Sequence, residues 1–288
     1  MAQVTGLYRL GLQVPDLDKV AGFYLNNWRM VAEGSQGNER LFRTKATDHA
    51  DLVLRKGDAA KLDHIALRVA SESELYELVD AVERAGFPVA AQPGKGRLPG
   101  EALAAAVNDP DGNRIELVVP SAASERWDAD NSEIGPKYLG HVVLWTPRPE
   151  KQEAFYALLG LRVSDRTHVG MSFLRCNTDH HTLAFVRNSR ERVGLQHAAF
   201  DVGSVDAVMR SFARLRDEGV TCIWGVGRHG PGNNVFSYYT DPAHNIVEYY
   251  GDMEKVEVSD ELDVRFWGPE HKGDVWGIAG PPPAAFRD

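Results

Sequence analysis

Two histidines and a glutamate in the C-terminal half of the chain, His141, His197 and Glu248, stand at matching points of short β-rich runs. His141 opens "HVVLWT", His197 lies in "QHAAFDV", and Glu248 lies in "NIVEYY" just after a turn marked by Asp241-Pro242 and His244-Asn245. Two neutral imidazoles and a carboxylate on neighbouring strands can hold one face of a metal ion and leave other positions open. That arrangement suits non-haem Fe(II) oxygen chemistry. Taken singly, each residue has a plainer reading, as a strand-end histidine satisfied by the backbone or an exposed strand glutamate. The three together, at homologous points of a repeated unit, favour a ligand set.

The repeat is legible at three separate places. "LQVPDLDKVAGFY" pairs with "VLWTPRPEKQEAFY", "LDHIALRV" with "LQHAAFDV", and "NDPDGNRIELVV" with "TDPAHNIVEYY", at a constant offset of 132 or 133 residues. One offset held over three segments is a duplicated domain. Each half contains a strand, a helix and three strands, twice over. The helix after "LDHIALRV" is predicted to start at Ser71 or Ser73, with Leu75, Leu78, Val79 and Val82 on one face. The helix after "LQHAAFDV" is predicted from Ser204, with Val205, Val208, Phe212 and Leu215 inward, and Gly86 and Gly219 stand where the two helices should end. The fold class is therefore α+β, two tandem domains of paired βαβββ units. The expected boundaries are 1–120, a polar linker 121–138, 139–252, and a tail 253–288 without a repeat counterpart.

The N-terminal half keeps His64 and Glu116, but Arg9 stands where His141 stands in the other half. A guanidinium has no lone pair for a metal, so this half cannot complete a site and Arg9 is expected to pair with Glu116 instead.

Composition narrows the partners. The chain of 288 residues is 43% hydrophobic with a formal charge of -9 and no basic run, which disfavours nucleic acid and anionic membranes. Two cysteines outside any CxxC spacing give no disulfide framework. No apolar run reaches the ~18 residues of a membrane span, and no secretory leader is visible. The expectation is a cytoplasmic protein acting on a small molecule.

Beyond these residues, "GRHGPGNNVFSYYTDPAHNIVEYY" (227–250) and "FLRCNTDHHTLAF" (173–185) resemble segments of the type I extradiol dioxygenases of the vicinal oxygen chelate superfamily. The resemblance covers nearly the whole chain. It implies the glyoxalase/bleomycin-resistance-like fold and an Fe(II) site, Mn(II) being the other candidate, held by His141, His197 and Glu248. It also implies ring opening of a catechol by O2 beside the two hydroxyls, giving a hydroxymuconic semialdehyde type of product in aromatic catabolism, and a homo-oligomer. On the same resemblance His229 and Tyr238 hydrogen-bond the substrate oxygen, and the acid/base histidine aligns with His180, a one-residue shift selecting His181. Other members of the architecture set the alternatives: hydroquinone or keto-acid dioxygenases, a glyoxalase-type isomerase with a fourth protein ligand, or a metal-free binding protein.

Overall fold

Alternation of inward and outward side chains produces the strands, and 3.6-residue spacing of apolar ones produces the helices. In the computed structural model, residues 2–121, 134–257 and 263–287 are described; the expected linker falls mostly at 122–133, outside them. The first half runs β1 (Val4–Val14), α1 (Leu17–Asn26), β2 (Val31–Gln36), β3 (Glu39–Arg43), β4 (Leu52–Lys56), then β5 (Lys61–Val69), α2 (Glu72–Arg84), β6 (Val89–Lys95), β7 (Glu101–Asn108) and β8 (Arg114–Pro120). The second repeats the pattern as β9 (Tyr138–Thr146), α3 (Pro149–Leu158), β10 (Arg162–Thr167), β11 (Met171–Arg175), β12 (Leu183–Arg187), then β13 (Gly194–Gly203), α4 (Val205–Asp217), β14 (Trp224–Arg228), β15 (Val235–Thr240) and β16 (Ile246–Gly251). The α+β fold of two tandem domains is thus present. No helix among the described residues is long and apolar enough to cross a membrane.

Each half closes into one mixed sheet, ordered β2-β3-β4-β1-β5-β8-β7-β6 and β14-β15-β16-β13-β9-β12-β11-β10. The ninth strand of the second sheet is β17 (Arg265–Trp267), which the tail adds in parallel beside β10. Three residues without periodicity give no strand signal in the sequence.

The helices lie over one face of the sheets. Ser71 caps α2 by accepting from the Glu74 amide, and Leu75, Leu78, Val79 and Val82 are its buried residues. Burial of each such side chain is worth about 1.5–3 kcal/mol. Helix α4 departs from its predicted face: Ser211 is buried with Val208 and Leu215, whereas Val205 and Phe212 are only partly covered. Gly86 and Gly219 have φ of 81° and 78°, the left-handed conformation that ends a helix at little cost to glycine.

The halves share one core. Trp28 stacks on Tyr249 with centroids 3.7 Å apart. The Tyr24 hydroxyl donates to Asp241 at 3.3 Å, and its counterpart Tyr156 donates to Asp109 at 3.5 Å in the opposite half. The two Asp-Pro turns thereby clamp the domains as well as reversing the chain.

The opposite face of the second sheet carries polar groups. Val142 and Leu144 of β9 enter the main core, while His141, Val143 and Trp145 alternate to the other side. At the end of β13, Tyr138 donates to buried Asp201 at 3.0 Å, and burial pushes the Asp201 carboxyl up to about 6. A raised acid favours the folded state below its unfolded pKa near ~3.9 and loses that contribution as pH rises through its folded value. Asp201→Asn is therefore expected to remove about 2–3 kcal/mol of stability loss between pH 4 and 7, read by urea unfolding at both values.

Candidate metal centre and active site

The order β16-β13-β9 sets the three ligand candidates on neighbouring strands. Ala199 of β13 is the register partner of both Glu248 and His141, and His197 lies two residues earlier on the same face. Tyr238 pairs with Glu248, and Trp224 with Tyr238, so one row crosses five strands. Ala199 contributes only a methyl to that row, which leaves room between the polar ends.

His141 Nε2 is 3.2 Å and His197 Nε2 3.3 Å from Glu248 Oε2. One ligand atom from each of the three lies within 4.8 Å of the others, and all three residues are buried. Glu248 Oε2 and His197 Nε2 have no hydrogen-bond partner. Lone pairs that face one another in a buried place need a cation, so the residues present fit a divalent metal. Burial pushes His197 down to about 4; it would raise Glu248, but the close approach of His141 and His197 outweighs it and holds that carboxyl well below its usual range. Neutral imidazole and ionised carboxylate are the forms a metal requires.

His229 and Tyr238 stand beside this group. His229 Nε2 is 2.9 Å from the Tyr238 hydroxyl and 4.0 Å from Glu248 Oε1, while its Nδ1 is 2.9 Å from the Gly273 carbonyl. The carbonyl can only accept, so Nδ1 carries the proton and Nε2 accepts from Tyr238. Tyr239 points the other way, into the main core. The tail supplies Gly273, and its Phe286 ring lies 4.9 Å from Tyr238 and 6.4 Å from His197. The tail thus packs over the site, anchored by Asp274, which accepts from the amides of Arg228, Trp276 and Ala279.

The structure places the two alternatives, His180 and His181, differently. The His180 ring is turned to Asp165, with Nε2 3.0 Å from Oδ2, whereas His181 lies against His141 with ring centroids 4.2 Å apart. The chain turns between β11 and β12 here, so simple alternation does not say which of the two faces inward. His181 is buried among His141, His180, His229 and His197; burial and those neighbours hold it well below its ordinary value.

Two further residues hold the ligand candidates and were not singled out from the sequence. Asn234 donates to Glu248 Oε1 at 3.2 Å, and the Gln196 side-chain oxygen meets His197 Nδ1 and so leaves Nε2 as the lone pair. Asn234 lies inside the "GNNVF" stretch, but nothing in its type distinguishes it from Asn233.

In the first half the ion pair expected of Arg9 is present and larger than expected. Its guanidinium contacts Glu101, reaches Glu116 Oε2 at 2.6 Å and donates from Nε to His64 Nε2 at 3.0 Å. A fixed cation fills the place of a metal. Arg9→Met would strand two buried carboxylates and is expected to cost about 3–5 kcal/mol, measured by urea unfolding.

The sequence matches the family model "Glyoxalase/Bleomycin resistance protein/Dioxygenase superfamily" over residues 6–117 and again over 138–249. The chain belongs to this superfamily. Among superfamily relatives, Metapyrocatechase 2 of Cupriavidus necator is 32% identical over 190 residues, a match that spans 59% of each chain. Biphenyl-2,3-diol 1,2-dioxygenase of Paraburkholderia xenovorans is 26% identical over 264 residues, 85% of this chain and 87% of that one. Among solved structures, the Mn(II)-bound glyoxalase from Novosphingobium aromaticivorans superposes with a TM-score of 0.92 at 32% identity, covering 100% of this chain and 95% of that one.

Proposed function

We propose that this superfamily member is an Fe(II)-dependent extradiol dioxygenase that opens a catecholic ring with O2. The observation that carries the reading is the convergence of His141, His197 and Glu248 beside a second polar set of His181, His229 and Tyr238. A structural cluster would need only the first. Two relatives named for the cleavage of catecholic diols support the same substrate class.

His141, His197 and Glu248 would hold the metal, which when bound supplies a Lewis-acidic, redox-active centre where an electron-rich diol and O2 can meet. The rest is work for the chain. His181 takes the proton that a catechol must lose and returns it later in the reaction, a role suited to an imidazole kept neutral by burial. His229 holds the Tyr238 hydroxyl in place, and that hydroxyl can turn its proton from His229 Nε2 to a substrate oxygen, where developing charge is poorly solvated. Phe286, Trp224 and Phe236 pack around that pair and exclude water from it.

Mn(II) is the second metal reading, and isomerase chemistry the second activity, both favoured by the likeness to the Mn(II)-bound glyoxalase. Against the isomerase, three ligand residues and no fourth converge among the described residues. The test is reconstitution of stripped protein with Fe(II) or Mn(II) without air, followed by oxygen uptake on catechol and on 2,3-dihydroxybiphenyl. Oxygen uptake matched by a yellow ring-opened product is expected with Fe(II). Metal-loaded protein that leaves both diols untouched but isomerises a hemithioacetal would overturn the reading.

A further inference from the structure

The two adjacent histidines of "NTDHHTLAF" do not duplicate one another, and the geometry gives them different tasks. His180 and Asp165 are both fully buried, with His180 Nε2 3.0 Å from Asp165 Oδ2. The other nitrogen of His180, Nδ1, is 3.1 Å from His181 Nδ1. The tail's β17 fixes the far end: Trp267 Nε1 donates to Asp165 Oδ2 at 2.6 Å, and Arg265 Nε to Oδ1 at 3.0 Å. The main chain of His180 is also tied, its amide to the Glu254 carbonyl at 3.0 Å and its carbonyl to the Ser164 hydroxyl at 2.7 Å. Gly232, at φ 75°, brings its loop so close that a Cβ there would lie 3.2 Å from each imidazole.

Protons can be assigned along this row from the chemistry of its ends. A carboxylate held by an indole N–H and a guanidinium is ionised and accepts only, so the proton of His180 sits on Nε2, facing Asp165. The N–H lies off the N···O line, so this contact is held by charge more than by direction. His180 Nδ1 is then a lone pair, and only one of two facing nitrogens can carry the proton between them. It belongs to His181 Nδ1, and the lone pair of His181 is left on Nε2, away from His180.

We propose that Asp165 and His180 are positioning residues that lock His181 as its Nδ1–H tautomer, so that Nε2 is the proton acceptor for the substrate. The assignment rests on the reading of His181 as the acid/base residue. The Nδ1–H form is the less common one for a free imidazole, so the lock has something to do. The row links the tail to His181, because Arg265 and Trp267 hold Asp165.

The test is long-range proton–nitrogen NMR of the full-length, metal-free chain labelled with nitrogen-15 in its histidines, with His180 and His181 assigned by single substitutions. His181 is expected as the Nδ1–H tautomer and His180 as Nε2–H. His180→Leu removes the acceptor and should return His181 to Nε2–H; His180→Asn keeps an acceptor oxygen near the Nδ1 position and should preserve the lock. In metal-loaded protein His180→Leu should lower kcat about 10–100-fold with little change in KM, and His180→Asn should recover most of it. An Nε2–H tautomer at His181 in the unaltered chain, or indifference of His181 to His180→Leu, would overturn the proposal. Absence of diol turnover in every form would sink the dioxygenase reading alone, since the tautomers are read without metal or substrate.

Discussion

Glu248→Ala is expected to abolish metal binding and diol turnover. Glu248 is a buried carboxylate whose Oε2 faces His141 and His197 at 3.2 and 3.3 Å and has no hydrogen-bond partner, and only Oε1 is held, by Asn234. A ligand that binds only the folded state adds stability that grows with its concentration over Kd. The unaltered chain should therefore gain in Tm on addition of Fe(II) or Mn(II), and the variant should gain nothing. Metal content should fall from about one ion per chain to near none, and turnover by at least ~10³-fold, the equivalent of some 4 kcal/mol of barrier. A variant that keeps its metal would remove Glu248 from the ligand set.

His181→Gln carries the second large effect. The residue lies against His141 but outside the group of three that could hold a metal, so metal content should be unchanged. Loss of a positioned proton acceptor typically costs 10²–10⁴-fold, and the loss is expected in kcat with KM nearly constant. His180→Gln should cost less than His181→Gln, since His180 acts through its neighbour. The reverse order, with His180 the more damaging site, would restore the alignment-based assignment and contradict the geometry. Steady-state oxygen uptake on both variants, with metal content determined on the same samples, measures both quantities.

The contrast between these two sites shows what the sequence carries. His141, His197 and Glu248 lie inside regular strands, where a period of two fixes each side chain to a face and the duplication says which strands correspond. His180 and His181 lie in a turn, where no period applies. The repeat still held a clue: His49 is 132 residues before His181, the same offset that links Glu116 to Glu248, so the internal alignment points to His181. In the first half His49 stacks on Tyr8 at 4.1 Å, a packing role in a domain whose cation is Arg9.

What the sequence did not carry is made by distant pairs. Asp165 meets His180, Arg265 and Trp267 through contacts up to 102 residues apart along the chain. Its strand reads as an ordinary polar edge. The tail offered no periodicity and no repeat partner, and its function depends on where β17 docks, which is decided by a row of backbone hydrogen bonds beside β10. Likewise Ser211 stands with Val208 and Leu215 on the buried face of α4, where the apolar spacing predicts Phe212.

The central claim is that this site brings O2 and a catecholic ring together and puts both oxygen atoms into the opened product. The most direct measurement is mass spectrometry of the product formed by Fe(II)-loaded protein from 2,3-dihydroxybiphenyl under ¹⁸O₂. The account predicts a ring-opened semialdehyde acid carrying label from both atoms of one O2, with none formed by Glu248→Ala. A product whose new oxygen comes from water, or an intact ring recovered from protein with a full complement of metal, would contradict it.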